Sequence, residues 1–423
     1  MNLQKALTSS SVKDFSSLFF SNLLQKFFGL IREVIIASIL SSSLIYAHFL
    51  MLQSMTGIFS QFASGNSMRA NLLPRFTKLF DQNENISLHE TDKSLKPIMF
   101  WLFLITQIIQ SIIIIFLDSE YSIFLFVISF LLSFIVCLNF YNSIYLSVIQ
   151  AKGEFLKYSL ATSFNEFVMI LFIYPLLFLF NISGLVISRI FAKLSVIYFY
   201  IIPMKTKNNG YNLSLGKDDF NIPTLILGNF ANIIIFTSRF VSGSDGGTSI
   251  TYFTYSIFIL NVILTAVIAN ISTLLLKKLS LRKDNIFMLY SVAISIVVGV
   301  SLVLFLQLYG YNLVEILFVR GNFTNTDAVR TTEFLNKLSY SFVFIFMSTT
   351  LFQPFLSMKI EDSKEIRSKI AIIFISTIII SLLFAFTQNF KVEIESLIVI
   401  YTCSFISLLL AAYSYFYYLQ KAS

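Results

Sequence analysis

The stretch SLFFSNLLQKFFGLIREVIIASIL, residues 17–40, decides how the chain is read. It is apolar and long enough to cross a bilayer, which takes about 20 residues as a helix. Yet it carries Lys26, Arg32 and Glu33. Asn22, Lys26, Gly29 and Glu33 follow one another at intervals of four, three and four, which places them on one helix face. Arg32 lies about 100° from Glu33 on the same side, and Gln25 flanks Lys26. Such a stripe either pairs with polar groups of a neighbouring helix and holds a bundle together, or walls a cavity that meets an anion. Gly29 reads as a point of close helix approach. Residues 1–16 are polar, with Lys5 and Lys13, and no small-residue cleavage site follows, so the stretch is expected to be a retained first span and not a signal peptide.

The rest of the chain fits that beginning. Of 423 residues, 56% are hydrophobic and 12% charged, about half the roughly 25% charge of a soluble domain. Mean hydropathy is +0.79. A soluble enzyme, a disordered chain and a fibrous protein are excluded. Twelve apolar segments can be counted, near 17–40, 44–65, 97–117, 122–149, 158–180, 182–203, 222–242, 249–276, 286–309, 331–357, 370–388 and 394–419. They lack the alternation of a membrane barrel, and lipid requires backbone groups to be satisfied within the segment, so all are expected to be helices. The predicted fold is an all-α polytopic membrane protein of about 12 transmembrane helices.

Charge gives an orientation. With the N-terminus placed in the cytoplasm, 21 of the 30 Lys and Arg fall on the cytoplasmic side, three (Arg320, Arg330, Lys391) on the far side, and six within spans. This positive-inside bias accounts for the net charge of +8 without nucleic acid, and puts both termini in the cytoplasm. A polar stretch at 204–221, with Gly210 and Gly216, reads as a cytoplasmic linker between an N-terminal lobe (1–203) and a C-terminal lobe (222–423), six helices each, around a central cavity. The far-side loops, such as 118–121 and 242–248, are too short for a catalytic domain. The longest cytoplasmic loop, 66–96, has a candidate surface helix at 68–80.

The six span cations are Lys26, Arg32, Arg189, Lys193, Arg239 and Lys337, against Glu33, Glu166 and Glu333. One charge at the membrane centre costs about 2.5–3.5 kcal/mol, so these groups pair, snorkel or line a cavity. Arg189 and Lys193 share a face, and Glu166, beside Asn165, is a candidate partner for them. Arg239 is near the outer end of its span, where snorkelling would suffice. Glu333 and Lys337 are spaced to pair with each other. The surplus of cations suits a phosphate-bearing ligand better than a cationic drug. Cys137 and Cys403 read as small core residues. His48 and His89 stand apart, and no metal site, cofactor or nucleotide-binding motif is read.

The same residues carry a resemblance. Phe28-Gly29-Leu30-Ile31-Arg32-Glu33 followed by Ala37 resembles the first span of the MurJ/MviN lipid II flippase family. Phe62-Ala63-Ser64-Gly65 with Leu73-Pro74, Ser238 to Gly243 with Gly246 to Ile250, and Ile271 to Leu274 with Leu279-Ser280 are similar to later family segments in the same order. The most specific stretch is the loop Leu317-Phe318-Val319-Arg320-Gly321-Asn322-Phe323-Thr324 with Asp327, which resembles an LFxRGxFT…D motif. The chain departs from the family pattern at Lys26, where an Arg is usual. It departs also at Ala47 and Ser64, where acids are usual, at Ser256, where an Arg is usual, and in having twelve expected spans and not fourteen.

The resemblance implies a flippase, not an enzyme, of the multidrug/oligosaccharidyl-lipid/polysaccharide exporter superfamily. It would sit in the bacterial inner membrane and work by alternating access. Its substrate would be a polyprenyl-diphosphate-linked glycan, either lipid II for peptidoglycan or, as the departures allow, an O-antigen or capsule repeat unit. Lys26 and Arg32 would meet the diphosphate with Glu33 holding Arg32. Asn22, Gly29, Arg189, Lys193 and Arg239 complete the candidate substrate-binding set, and Arg320, Gly321, Phe323 and Asp327 form the loop motif. Membrane lipid and cell-envelope biosynthesis proteins are the expected partners. The alternatives are a drug or ion exporter on the same fold, and a membrane polysaccharide polymerase or ligase.

Overall fold

The computed structural model describes residues 10–63, 72, 76–77, 80, 86–117, 120–206, 211–212, 221–268, 285–358, 360–388 and 390–422, with side chains of the first helix from Leu23 onward. Most of the helix expected at 68–80, most of the 204–221 linker, the Ser64-Gly65, Leu73-Pro74 and 271–280 segments and the Asn22 side chain lie outside the described residues.

The described chain is almost entirely helical. Its elements are α1 (Ser10–Leu40), α2 (Leu44–Ala63), β1 (Ile86–Ser87), α3 (Leu88–Leu117), α4 (Ser122–Ala151), α5 (Phe155–Phe180) and α6 (Ile182–Val196), which continues through a π-turn at Ile197–Ile201 and a last turn at Ile202–Thr206. Then come β2 (Tyr211–Asn212), α7 (Ile222–Gly228), α8 (Phe230–Val241) and α9 (Ser249–Ile263), extended by a π-turn at Leu264–Ile268. The chain closes with α10 (Asn285–Phe318), α11 (Asn325–Ser357), α12 (Ile360–Thr387) and α13 (Val392–Ala422). The two strands make a two-residue parallel pair.

Where their residues are described, the apolar segments read from the sequence fall on these helices or on an interrupted pair. Among the described residues eight helices (α3–α6 and α10–α13) are long and apolar enough to cross a membrane. The pair α7 and α8, bent by 72° at Gly228–Asn229, makes a ninth if counted as one span. Large apolar side chains such as Phe116, Ile123 and Leu308 are exposed along these helices. A continuous apolar exterior of this kind needs lipid as its solvent, and the chain is a multi-pass membrane protein.

Internal packing divides the chain into two units. The first holds the described residues up to Ile36 and from Met55 to Leu225; the second holds Ala37–Ser54 and everything from Ile226. In the first unit Val136, Phe140, Ile144 and Val148 of α4 pack with Leu95 and Ile201 in a buried core. The second unit is built on a knot of aromatic rings. Tyr255 meets Tyr46, Phe318 and Phe323 at centroid distances of 6.4, 5.2 and 5.4 Å.

That knot is where the loop motif does its work. Gly321 has φ +60, and a Cβ there would collide with the Ser38 carbonyl, so only glycine lets the loop lie against the end of α1. The neighbouring Asn322 donates its N–H to Ser38 O (2.8 Å) and its amide to Ile39 O (2.7 Å), capping the last turn of α1. Thr324 and Asp327 form a reciprocal capping box at the start of α11. Asp327 also accepts from Ser41 (3.2 Å), Ser42 (2.9 Å) and Tyr252 (3.0 Å). Phe323 is buried in the aromatic knot, and Arg320 turns back to the Ile316 carbonyl. Arg367 is 1% exposed. It donates to the carbonyls of Phe355, Leu356 and Met358, at 3.2, 3.3 and 2.9 Å, and so closes the C-terminal end of α11.

Candidate functional site

The polar stripe of α1 faces α5. Gln25 donates to Thr162 Oγ1 at 3.0 Å, and Arg32 donates to Glu166 Oε2 at 3.2 Å. Both pairs advance in the same direction along the two helices, so α1 and α5 run parallel here. Thr162 and Glu166 are four residues apart and share a face. Phe28 and Phe167 cover the apolar side of the seam, with ring centroids 6.1 Å apart.

Arg32 is bracketed by two carboxylates. Its Nη2 is 3.0 Å and its Nε 3.1 Å from Glu33 Oε1, while Nη1 reaches Glu166. Glu166 is held on its other oxygen by Asn165 Nδ2 at 2.9 Å. The fork of a guanidinium is the group that can serve two acids at once.

A turn at Asn181 joins α5 to α6, and Gly184 lets the two helices meet closely, since a Cβ there would collide with the Leu176 carbonyl. This brings the second pair of cations in. Lys193 lies within electrostatic reach of Glu166, Arg189 and Arg32, and Lys26 within reach of Glu166 and Arg32. The described residues thus gather Lys26, Arg32 and Lys193 about Glu33 and Glu166, with Arg189 beside Lys193. Neither Lys26 nor Lys193 makes an ion pair or ammonium hydrogen bond among the described residues. Cations gathered away from water without a carboxylate each are stabilised by a further anion.

Several sequence expectations change. Glu166 pairs with Arg32 of α1 and lies within electrostatic reach of Lys193 of α6. Gly29 is not a close-approach point, because a Cβ there would meet nothing within 4 Å; the glycine leaves open space beside Lys26 and Arg32. Arg239 belongs to the second unit and does not snorkel. It is buried, donates Nε to Ser54 Oγ at 2.8 Å, and sits 4.9 Å from the Phe236 ring. Glu333 and Lys337 form no ion pair among the described residues; both are exposed, and Tyr401 donates to the Lys337 carbonyl. Ser256, buried, donates to the Thr331 carbonyl at 2.7 Å and ties α9 to α11. Thr162 was missed from sequence, although its i,i+4 spacing to Glu166 was the available signal.

No family model matches the chain, and no curated protein matches it in sequence. Solved structures do match. The lipid II flippase MurJ in an inward closed conformation aligns over 97% of this chain and 87% of its own, with TM-score 0.74 and 18% identity. An inward-facing multidrug resistance MATE family transporter of the MOP superfamily aligns over 94% of each chain, with TM-score 0.67 and 12% identity. A MOP superfamily transporter from Pyrococcus furiosus, described by a binding pocket of reverse polarity, covers 97% of this chain and 95% of its own, with TM-score 0.61 and 12% identity. The likeness is one of fold and agrees with the resemblance seen in the first helix and the 317–327 loop: this multi-pass membrane chain has the helical architecture shared by MurJ and the MATE transporters.

Proposed function

We propose that the chain is a flippase for an undecaprenyl-diphosphate-linked saccharide, either lipid II or an O-antigen or capsule repeat unit. It would carry its substrate from the cytoplasmic to the far leaflet of a bacterial inner membrane through alternating access, with twelve spans and both termini in the cytoplasm. The observation that carries this reading is that Lys26 and Lys193 stand beside the Arg32 cluster outside any ion pair among the described residues. A diphosphate supplies the charge that Lys26 and Lys193, beside Arg32, call for. Lys26 and Lys193 are its first ligands. Arg32, held by Glu33 and Glu166, joins them by exchanging one carboxylate for a phosphate oxygen. The glycan needs no covalent chemistry from the protein.

The fold likeness to MATE transporters supports a second reading, export of a cationic drug, in which Glu33 and Glu166 would be the binding groups. Both carboxylates already face Arg32, which weighs against it. Complementation separates the readings. The chain is expected to rescue a bacterial strain depleted of its lipid II flippase or one lacking its O-antigen flippase, and Arg32→Ala is expected to abolish rescue while the protein stays in the membrane. Rescue of neither strain together with efflux of a cationic dye would establish the exporter and sink the flippase.

A further inference from the structure

A cavity of about 720 Å³ opens in the second unit where the turn before α9, the first turns of α11 and the start of α13 come together. Asp245, Arg330, Glu333, Phe390, Lys391 and Glu393 line it. The sequence puts all three segments on the far side of the membrane. That side is nearly bare of cations, holding only Arg320, Arg330 and Lys391, and two of these three line this one cavity. The flippase reading does not use it.

Its five charged groups converge without pairing: no ion pair joins any of them among the described residues. Two are held in place by other contacts. The Arg330 guanidinium lies 5.9 Å from the Tyr252 ring centroid, and Asp245 accepts the Gly247 N–H at 2.8 Å. Opposite charges fixed around one concavity, but not joined, match a ligand that carries both signs. Three acids against two bases favour one with a cationic end.

The apolar side of the cavity narrows the ligand further. Phe390 is 43% exposed beside the charges. Two helices apolar enough to cross the membrane, α11 and α13, begin here, so the cavity lies at the level where headgroups meet acyl chains. We propose that this cavity binds the headgroup of an aminophospholipid of the far leaflet, its phosphate between Arg330 and Lys391 and its ammonium among Asp245, Glu333 and Glu393.

The test uses the full chain in nanodiscs of mixed phosphatidylethanolamine, phosphatidylglycerol and phosphatidylcholine, followed by native mass spectrometry of the lipids retained. Phosphatidylethanolamine should be retained over both others. The double variants Lys391→Gln with Arg330→Gln, and Glu333→Gln with Glu393→Gln, should each lower that preference by about fivefold. Because Arg330→Gln also removes a ring contact, Lys391→Gln and Glu393→Gln are measured alone as variants that leave every packed contact in place. Free phosphoethanolamine should not displace the lipid. Displacement by the free headgroup would overturn the lipid as the source. Equal retention in wild type and variants, or preference for phosphatidylglycerol, would overturn the site.

Discussion

Around Asp327 in the second unit, both carboxylate oxygens are met by neutral donors: Ser41, Ser42, Tyr252, and the N–H and hydroxyl of Thr324. Among the described residues no cation pairs with it. Around Arg32 in the first unit, two carboxylates bracket one guanidinium while Lys26 and Lys193 stay outside any ion pair among the described residues. One region lies where a turn meets a helix start and the other along helices, and they reach opposite ends. A closed network, in which each polar group has its partner, fixes structure. An open one with surplus charge has something left to bind. The contrast separates scaffold from site better than burial or proximity does.

Four substitutions break or sharpen that contrast. Asp327→Ala should have the largest effect. It strands five donor bonds in a buried place and should cost about 4 kcal/mol or more, seen as early unfolding and loss of the monodisperse peak when detergent-solubilised protein is heated. Gly321→Ala comes next, at about 2–3 kcal/mol from the positive φ and the collision with Ser38, read by the same melt. Lys26→Ala should do the reverse: transport falls by about tenfold or more, equivalent to roughly 1.4 kcal/mol of ligand binding, with the melting temperature unmoved. If Lys26→Ala instead destabilised as Asp327→Ala does, the open network would be scaffold too. Gly29→Ala should be the mildest. The added methyl meets open space, and alanine favours a helix by about 1 kcal/mol over glycine, so the protein should melt slightly higher and still transport.

Much of the fold could be read from sequence, for a physical reason. Lipid forces each crossing segment to be both apolar and helical, so the segments mark the helices. Boundaries were less legible. Pro97 looked like the beginning of a helix, yet α3 runs from Leu88 with Pro97 inside it, because the polar turns before the apolar run continue the same helix. The α1 stripe was legible because spacing along one helix needs no knowledge of its neighbours. The choice of Glu166 for Arg32 was not, since it depends on α5 lying parallel to α1. Arg367 shows the same limit: it counts as one more cytoplasmic cation in sequence, while in the structure it is buried under the carbonyls that end α11. The cavity lined by Asp245, Arg330 and Lys391 was missed because its charges come from three segments far apart in the sequence.

The Asp327 network also sets a clock on synthesis. Ser41 and Asp327 are 286 positions apart. At roughly 5–20 residues per second, translation needs on the order of 15–60 s to deliver the carboxylate after the serines have emerged. For that interval the turn at Ser41–Ser43 has none of its final side-chain acceptors. A ribosome that stalls before the codon for Asp327 would leave in the membrane a chain whose first turn is still open, a natural target for quality-control proteolysis.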